Sequence, residues 1–399
     1  MASLPDLLPI SPARGPIAAV VGIPGSKSLT NRALVLAALT GGVSELQGAL
    51  WAEDTRIMVD GLRKLGFAIR ERADPWNAGN RTLTIEGRGG EIPARSADLF
   101  VGTAGTAARF LAAVCALGKG SYQLRGTPRM HERPMRELFD ALRGLGTTVK
   151  DTNGRLPAEI RGPIRGGTVR VSAEASSQFA SALLLVAKAA GIKVECASSP
   201  YVEMTRELVK AWNQRGGAFA VEPDASSASY FFTLRYLLGG QLKIPRWPAR
   251  SLQVDHRFPA FLPPPEKISR KTDLGDSVMT LAIVAAAERR TFRLADAANL
   301  RNQECDRIRA MVTEFRKCGV PAVERRSGFA LRPAKAFRSA EIETYLDHRM
   351  AMCFAVLGCM DALGNGRPWI VIRNPRCVEK TFPEFFETLA AAIAPPPTI

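Results

Sequence analysis

Six segments of the chain are apolar at nearly every position, and each follows a short group of small polar residues. They are Ala33–Leu39, Ala107–Leu117, Phe179–Ala190, Tyr230–Leu238, Val278–Ala287 and Met350–Leu357. A helix that is apolar on all sides is buried, because none of its faces suits water. The pattern therefore predicts six buried helices, each begun by the polar residues in front of it.

These helix starts recur along the chain. Their spacing is 50 to 78 residues, measured between Ser28, Thr106, Ser177, Ser227, Ser277 and His348. Between them the sequence predicts amphipathic helices over Glu53–Lys64, Pro134–Arg143, Tyr201–Trp212 and Cys305–Lys317. Short strands such as 98–101 and 169–172, and glycine-rich hairpins such as Gly154–Gly167, complete the pattern. We expect an α/β fold made of a repeated βα-containing unit, with the apolar helices inside and sheets covering them.

The length of the chain predicts two domains, because 399 residues exceed one ordinary core. The strand-like segment at 18–21 is too short to stand alone, so we expect it to pair with the C-terminal half. One domain is then discontinuous. The predicted domains are residues 1–23 with 225–399, and residues 24–224.

The chain is strongly basic, with a formal net charge of +16. Nucleic acid and small polyanionic substrates both attract such a protein. The basic residues do not form one tract, the aromatic residues are not interleaved with them, and no known nucleic-acid-binding motif appears. The pattern favours small anionic substrates, and part of the charge serves surface solvation.

Cysteine usage and hydropathy bear on the compartment. The seven cysteines are scattered and lack metal-ligand spacing, which favours reduced thiols and no zinc. No apolar run is long enough to cross a bilayer, and no secretory signal pattern opens the chain. We expect a cytoplasmic protein without a membrane partner.

The first helix start, Pro24–Arg32, carries the densest group of anion-binding residues. Ser26 or Ser28 is suited to cap the helix, and Lys27 adds a charge to its positive end. Arg32 lies four residues beyond Ser28, on the same face. Ser26 separates Gly25 from Lys27, so the segment is not a P-loop. A capped surface helix with solvated charges is the alternative.

Four further groups could carry chemistry, each with a plainer alternative. Pro128–Pro134 is a loop with two arginines that suits carboxylate or phosphate, or it is a solvated turn. Asp276 begins a buried helix and by itself suits an N-cap. Residues 299–307 place Glu304 and Arg307 at a helix entry, where a capping box competes. The fourth group joins 347–349 with 376–383.

Two kinds of nucleophilic catalysis are excluded by these residues. The chain has three histidines and no serine in a G-x-S-x-G elbow, which argues against a serine hydrolase. Cys115 lies inside an apolar helix, where a thiolate is disfavoured. What remains is a set of cations with two carboxylates, suited to binding multiply charged small molecules and moving protons. The set is Lys27, Arg32, Arg129, Arg307, Arg349 and Lys380, with Asp276 and Glu304.

Eight ordered motifs resemble those of the 5-enolpyruvylshikimate-3-phosphate synthase family of enolpyruvyl transferases. They cover nearly the whole chain, and eight in order are far more specific than any one alone. They lie at 24–32, 102–109, 129–134, 176–179, 224–228, 304–307, 347–352 and 380–383.

The resemblance implies an inside-out α/β barrel in each of two domains, built from βαβαββ units with buried helices. The active site would lie in the interdomain cleft. The implied reaction transfers the carboxyvinyl group of phosphoenolpyruvate to the 5-hydroxyl of shikimate 3-phosphate, in chorismate biosynthesis. It needs no metal and no organic cofactor. The implied partners are the two small substrates, with no nucleic acid, and the protein would be a monomer.

Residue roles follow from the resemblance, position by position. Lys27 would contact both substrates in catalysis, Asp276 would act on the 5-hydroxyl, and Glu304 would be the other proton-transfer group. The remaining substrate-binding positions serve one or both substrates. For shikimate 3-phosphate these are Ser28, Arg32, Ser176, Ser177, Ser198, Tyr201 and Asn299, with Gln178 bridging to phosphoenolpyruvate. For phosphoenolpyruvate they are Gly105, Arg129, Arg307, Arg349 and Lys380.

Three departures from the family pattern stand out. Gln303 replaces the lysine that usually contacts the acceptor, and Thr103 replaces a common asparagine. Two repeat intervals are short, so we expect a hairpin to be missing in Asn213–Glu222 and a helix–hairpin portion to be reduced in Phe258–Lys271. Exposed sheet edges, or a partner that covers them, would follow. Two alternatives stay open: a transferase for another hydroxyl acceptor, and an inactive basic binding protein on the same fold.

Overall fold

The computed structural model describes residues 4–172 and 176–394, in which helices and strands alternate along the chain. The α-helices are α1 (Lys27–Leu39), α2 (Glu53–Lys64), α3 (Gly105–Cys115), α4 (Pro128–Glu132), α5 (Arg136–Gly144), α6 (Ser177–Ala190), α7 (Pro200–Ala211), α8 (Ala225–Leu238), α9 (Val278–Ala287), α10 (Arg307–Lys317), α11 (His348–Gly358) and α12 (Phe385–Ile393). Segments of 3-10 helix cover Val254–Phe261, Ala298–Asn302 and Pro375–Lys380.

The strands are short and separated by these helices. They are β1 (Leu7–Ile10), β2 (Ile17–Val20), β3 (Gly41–Leu50), β4 (Ala68–Ala73), β5 (Asn80–Arg88), β6 (Ser96–Phe100), β7 (Ser121–Arg125), β8 (Thr148–Asp151), β9 (Ala158–Arg161), β10 (Gly167–Arg170), β11 (Ile192–Glu195), β12 (Gly217–Ala220), β13 (Gly240–Lys243), β14 (Lys267–Ser269), β15 (Phe292–Ala295), β16 (Ala322–Arg325), β17 (Gly328–Leu331), β18 (Ala340–Ile342) and β19 (Ile370–Arg373).

The chain divides into two compact units. One is Pro24–Glu222, and the other joins the residues up to Ile23 with those from Pro223 onward. Each unit buries its own cluster of apolar side chains. Strand β2 pairs with β13, so the segment before the first buried helix belongs to the second unit, as its sequence predicts.

In the unit Pro24–Glu222, the apolar helices α1, α3 and α6 contact one another. All residues of α3 are buried, which explains why its sequence carries no polar face. The sheets have strand orders β12-β3-β5-β4, β6-β7-β9-β8 and β10-β11. Their inward residues, such as Leu83 and Ile85 on β5, join the same core.

The other unit repeats this arrangement with α8, α9 and α11, which also contact one another. The sheets here have strand orders β14-β15-β17-β16, β1-β19-β18 and β13-β2. Residues 278–286 of α9 are all buried, so its start must be satisfied from within the protein. The six apolar segments of the sequence all form helices as predicted, and they are buried except at the C-terminal ends of α6 and α8, where Lys188, Ala189 and Arg235 are exposed.

Two sheets share one connection pattern. In β6-β7-β9-β8, the parallel pair β6/β7 is joined through α3, and the hairpin β8/β9 follows α5. The sheet β14-β15-β17-β16 repeats this order with α9, α10 and the hairpin β16/β17. The two shortened intervals differ from it. Asn213–Glu222 contributes only β12, which pairs with β3, and residues 239–277 form β13, a 3-10 segment and β14 without an α-helix.

Helix starts follow the sequence closely, with two corrections. The side chains of Ser26, Ser176, Asp224 and Asp347 cap α1, α6, α8 and α11. The predicted loop at 128–134 is wrong, because Pro128–Glu132 is a helical turn capped by Thr127 with proline at its first position. Helices α5 and α10 each begin two residues later than predicted, and at α10 Asp306 accepts the Arg309 N–H as the cap. Among the described residues, no helix has the length and apolarity that crossing a membrane requires.

Candidate active site

The start of α1 is held tightly by its own unit. The Gly25 N–H donates to Asn80 Oδ1 at 2.8 Å, and the Ser26 N–H donates to the Glu222 carbonyl at 2.8 Å. A Cβ on Gly25 would lie 2.0 Å from the Gly48 carbonyl oxygen, so only glycine permits this approach. The Pro24–Gly25 turn therefore fixes where Lys27 emerges.

Lys27 lies beside a carboxylate that the sequence analysis did not single out. Its Nζ is 3.1 Å from Asp54 Oδ2, and the two side chains are 15% and 3% exposed. Asp54 stands in the first turn of α2, where an acidic residue favours the helix dipole and looks ordinary in sequence. The ammonium is thus pre-oriented by a buried partner while part of it stays accessible.

Arg32 is buried and ties three helices together. Its Nε donates to Thr205 Oγ1 at 2.7 Å on α7, and Nη2 donates to Ser181 Oγ at 3.1 Å on α6. Nη1 donates to the Ser28 carbonyl at 2.9 Å. Burial lowers the pKa of Arg32 to about 10, so the side chain stays protonated at neutral pH. These bonds give Arg32 a clear role in the unit's packing; its predicted contact with substrate stays a prediction.

Two buried guanidiniums converge on the start of α3. Arg109 Nη2 donates to the Pro134 carbonyl at 2.8 Å, and Arg133 Nη1 donates to the Thr103 carbonyl at 3.0 Å. A Cβ on Gly105 would lie 2.5 Å from Arg133 Nη2 and 2.7 Å from Arg109 Nη1. Because Gly105 has no side chain, both guanidiniums can lie against the start of α3, which is itself mildly positive. Arg129 is more exposed and pairs with Glu132 at 2.6 Å.

The start of α6 is linked to α3 through Gln178. The Ser176 side chain accepts the Gln178 N–H at 3.2 Å, and Gln178 Nε2 donates to Thr106 Oγ1 at 3.3 Å. Ser198 is exposed in the segment before α7. The Tyr201 carbonyl accepts from Thr205 Oγ1 at 2.8 Å. The serines at 176, 177 and 198 keep enough exposure to meet a ligand.

In the other unit, three guanidiniums surround Asp276. Its Oδ1 accepts from Arg270 Nη2 at 2.7 Å, and its Oδ2 lies 3.0 Å from Arg349 Nε and 3.7 Å from Arg307 Nη1. Burial acts to raise the pKa of Asp276, but Arg349, Arg270 and Arg307 outweigh it and hold that pKa well below its usual range. The N-cap interpretation is wrong, because Ser277 stands at the cap of α9 and no side chain bonds there.

Arg307 is the centre of a buried ion-pair network. Its Nε donates to Asp347 Oδ2 at 2.7 Å and its Nη2 to Asp347 Oδ1 at 3.1 Å. Nη2 also donates to Glu304 Oε2 at 2.8 Å. The capping-box interpretation is wrong for Glu304, whose carboxylate bonds Arg307 while Asp306 caps the helix. We call this group the arginine–carboxylate cluster; its members are Arg270, Asp276, Glu304, Arg307, Asp347 and Arg349.

Three other predicted residues lie near the elements that carry the cluster. Asn299, on the 3-10 segment Ala298–Asn302, accepts from Arg270 Nη1 at 2.9 Å. Gln303 is half-buried directly after that segment. Lys380 is buried at the end of the 3-10 segment Pro375–Lys380, which contacts α11. Of these three residues, Asn299 is linked to Asp276, because Arg270 donates hydrogen bonds to both.

Arg270 is the cluster residue that sequence reasoning missed. It lies beside Lys271 in a stretch without helical or strand periodicity, where a pair of basic residues looks solvated. Its partner Asn299 lies 29 residues along the chain, and Asp276, six residues away, is separated from it by a turn that shows no periodicity. The only sequence feature that could have drawn attention to Arg270 is that the segment around it, Phe258–Lys271, is shorter than the repeat predicts.

The arrangement suits anion binding with proton transfer. Guanidinium groups bind phosphate and carboxylate through paired N–H donors, and buried carboxylates beside them can exchange protons. Burial raises the pKa of Cys115, which agrees with its exclusion as a nucleophile. Within 4–172 and 176–394, no group of three or more His, Cys, Asp or Glu is placed to hold a metal ion.

These features define a two-unit α/β enzyme for small anionic substrates, and comparison with known proteins identifies its family. A sequence model described as EPSP synthase (3-phosphoshikimate 1-carboxyvinyltransferase) matches residues 12–215 and 267–389. The chain belongs to the EPSP synthase family, which confirms the resemblance read from its motifs.

Relatives and solved structures agree with this assignment. A 3-phosphoshikimate 1-carboxyvinyltransferase of Opitutus terrae is 41% identical, over 97% of both chains. The enzyme of the same name from a Nostoc species is 38% identical, over 96% of this chain and 98% of that one. An EPSP synthase structure from Acinetobacter baumannii has a TM-score of 0.74 at 22% identity, covering 97% of this chain and 98% of that one. The structural likeness establishes the mixed α/β fold.

Proposed function

We propose that the protein transfers the enolpyruvyl group of phosphoenolpyruvate to the 5-hydroxyl of shikimate 3-phosphate, releasing phosphate, in aromatic amino acid biosynthesis. Family membership and high-coverage relatives of that name support the activity. The observation that carries it is the arginine–carboxylate cluster, which holds two proposed proton-handling carboxylates against three guanidiniums. Neither another acceptor nor an inactive binding protein is favoured by the relatives.

The two units are the two lobes of the enzyme in this proposal. Each carries part of one substrate site, and both parts act on the same pair of molecules. The finer architecture is an inside-out barrel in each lobe, made of βαβαββ units of which two are shortened. We further propose a cytoplasmic monomer that uses no cofactor.

The unit Pro24–Glu222 supplies most contacts to shikimate 3-phosphate. Lys27, oriented by Asp54, contacts both substrates, and the α1 start with Ser28 faces the acceptor. The phosphate of shikimate 3-phosphate binds the serines at 176, 177 and 198, with Tyr201 nearby, and Arg32 also holds this substrate. Gln178 bridges to phosphoenolpyruvate, which Gly105 and Arg129 also approach.

The other unit supplies the acid–base groups and the remaining cations. Asp276 and Asn299 face the acceptor, with Gln303 beside them. Glu304, Arg307 and Arg349 lie toward phosphoenolpyruvate, and Lys380 completes that group. Fixed cations hold the phosphate and carboxylate of the substrate, so positioning and electrostatics supply most of the catalysis.

Chemically, the reaction is an addition followed by an elimination. A proton added to the methylene carbon of phosphoenolpyruvate creates cationic character at C2, and the 5-hydroxyl oxygen bonds to C2 as it loses its proton. The tetrahedral intermediate then loses phosphate and one proton of the new methyl group, which restores the double bond. Glu304 and Lys27 exchange protons with the carbon centre. Asp276, ionised beforehand, accepts the hydrogen bond of the 5-hydroxyl and takes its proton as the oxygen bonds to C2.

A phosphate-release assay with both substrates tests the proposal. Release should need shikimate 3-phosphate and phosphoenolpyruvate together, and a mass spectrum should show the enolpyruvyl ether. Exposed Glu341→Gln serves as a folded control that keeps full activity. Correctly folded protein that releases no phosphate would exclude the activity, and release with another hydroxyl acceptor alone would favour a different transferase.

A further inference from the structure

Arg270 connects two residues that the proposed function assigns to the hydroxyl acceptor. Its side chain is 9% exposed, with Nη2 on Asp276 Oδ1 at 2.7 Å and Nη1 on Asn299 Oδ1 at 2.9 Å. The planar guanidinium fixes both partners in one plane with a set separation. A flexible cation could not impose that geometry.

The backbone around Arg270 is itself well anchored. The residue follows β14, and its N–H donates to the Ala295 carbonyl at 3.1 Å at the end of β15. The Ser269 N–H donates to Asp273 Oδ2 at 2.8 Å, which closes the turn that follows. The guanidinium therefore projects from a fixed strand end instead of a free loop.

Asp276 is held from its other side by a second buried carboxylate. Asp255 accepts the Gly275 N–H at 2.6 Å, and it also accepts the Ser277 hydroxyl at 2.7 Å. These bonds fix the backbone on both sides of Asp276, and Arg270 fixes the carboxylate. Both Asp255 and Arg270 lie in residues 239–277, which form no α-helix.

Arg270 differs from the other two guanidiniums in what it touches. Arg349 and Arg307 lie at Oδ2 of Asp276, whereas Arg270 bonds Oδ1. Arg307 also binds Glu304 and Asp347, and Arg270 bonds neither of them. Without Arg270, the cluster would hold two guanidiniums and three carboxylates. The side chains that lose a hydrogen bond would be Asp276 and Asn299.

We propose that Arg270 is a positioning residue of the acceptor site, which holds Asp276 and Asn299 in the relative places that the attacking hydroxyl requires. The proposal rests on the proposed function. Gln303, at the position where the family pattern has a lysine, is neutral, whereas Arg270 is a cation that contacts both Asp276 and Asn299. The ionised state of Asp276 depends in part on it.

The test is steady-state kinetics of Arg270→Gln and Arg270→Lys, with each substrate varied in turn. Arg270→Gln should lower kcat/KM for shikimate 3-phosphate by about tenfold to a hundredfold, the usual effect of losing hydrogen bonds to a charged group. The KM for phosphoenolpyruvate should change less than about threefold. Arg270→Lys keeps the positive charge but cannot bond Asp276 and Asn299 with one planar group, so its kcat/KM should lie between those of Arg270→Gln and wild type. The control is Lys271→Gln, an exposed neighbour with the same charge change, which should behave as wild type.

The outcomes separate this inference from the proposed function. Wild-type protein without phosphate release overturns both. Active wild type with an unchanged kcat and acceptor KM in Arg270→Gln, or with a KM for phosphoenolpyruvate that rises as much as the acceptor KM, overturns the positioning role alone. If Arg270→Gln does not fold, Arg270→Lys decides: a selective rise in the acceptor KM supports the role, and unchanged constants overturn it.

Discussion

Asp347→Asn should destabilise the protein far more than a surface carboxylate change does. The Asp347 carboxylate accepts from Arg307 Nε at 2.7 Å and Nη2 at 3.1 Å, and from the Arg349 N–H at 2.9 Å. The Arg307 and Asp347 side chains are 1% and 0% exposed. Asparagine keeps the shape, but it turns an NH2 group toward a guanidinium donor and leaves Arg307 with Glu304 and the more distant Asp276 as its carboxylates.

The magnitude follows from the burial. Removing one partner of a buried ion pair costs about 3–5 kcal/mol. Asparagine keeps one accepting oxygen, so we expect the low end, about 3 kcal/mol of unfolding free energy. For a unit of this size, that corresponds to a fall in Tm of roughly 6–12 °C. Calorimetry at pH 7 measures both quantities.

Glu341→Gln is the matched control for Asp347→Asn. Glu341→Gln removes a carboxylate of the same unit whose partner, Arg373, is half exposed, and such pairs contribute about 0–1 kcal/mol. Asp347→Asn within about 1 kcal/mol of wild type, like Glu341→Gln, would refute the reasoning.

Three further outcomes are expected. Glu304→Ala should abolish turnover while substrate binding, measured by calorimetry, stays largely intact; near-normal turnover would exclude its proton-transfer role. Gly105→Ala should raise the KM for phosphoenolpyruvate by about tenfold, because its Cβ would displace the buried Arg133 and Arg109; an unchanged KM would show that they are not at the site. Asp276→Asn should lose a constant amount of stability from about pH 9 to 5, and the gap should close below about pH 4, where unfolded aspartate protonates. The sign follows because the depressed pKa of Asp276 stabilises the folded state only above the unfolded pKa; a gap that widened in acid would contradict it.

Helix positions could be predicted wherever one periodicity dominated. The amphipathic pattern of Glu53–Lys64 predicted α2 residue for residue, and Val278–Ala287 matched α9 in the same way. Both patterns are long, uninterrupted and bounded by residues that end helices. The turn at α4 was missed because five residues between prolines are too few to show a period, although Thr127 is a suitable cap.

The candidate site was less predictable, because burial of a charged residue depends on partners far away in sequence. The chain has 54 lysines and arginines, and nothing local separates the buried Arg270 from the exposed Lys271. Asp54 looks like an ordinary first-turn acid, yet it orients Lys27. The order of the motifs was enough to identify the family. Which charged side chains pair with one another could be determined only from the structure.

Asp255 gives the shortened stretch between α8 and α9 a further consequence. Its carboxylate accepts from the Ser226 hydroxyl at 2.5 Å and from the Gly275 N–H, so it joins the beginnings of both helices. A longer connection could hold the two helix beginnings together through many weak contacts, and the loss of any one of them would matter little. Here that link rests on one side chain, so a substitution at position 255 would loosen the beginnings of both helices and disturb Asp276, the proposed catalytic carboxylate.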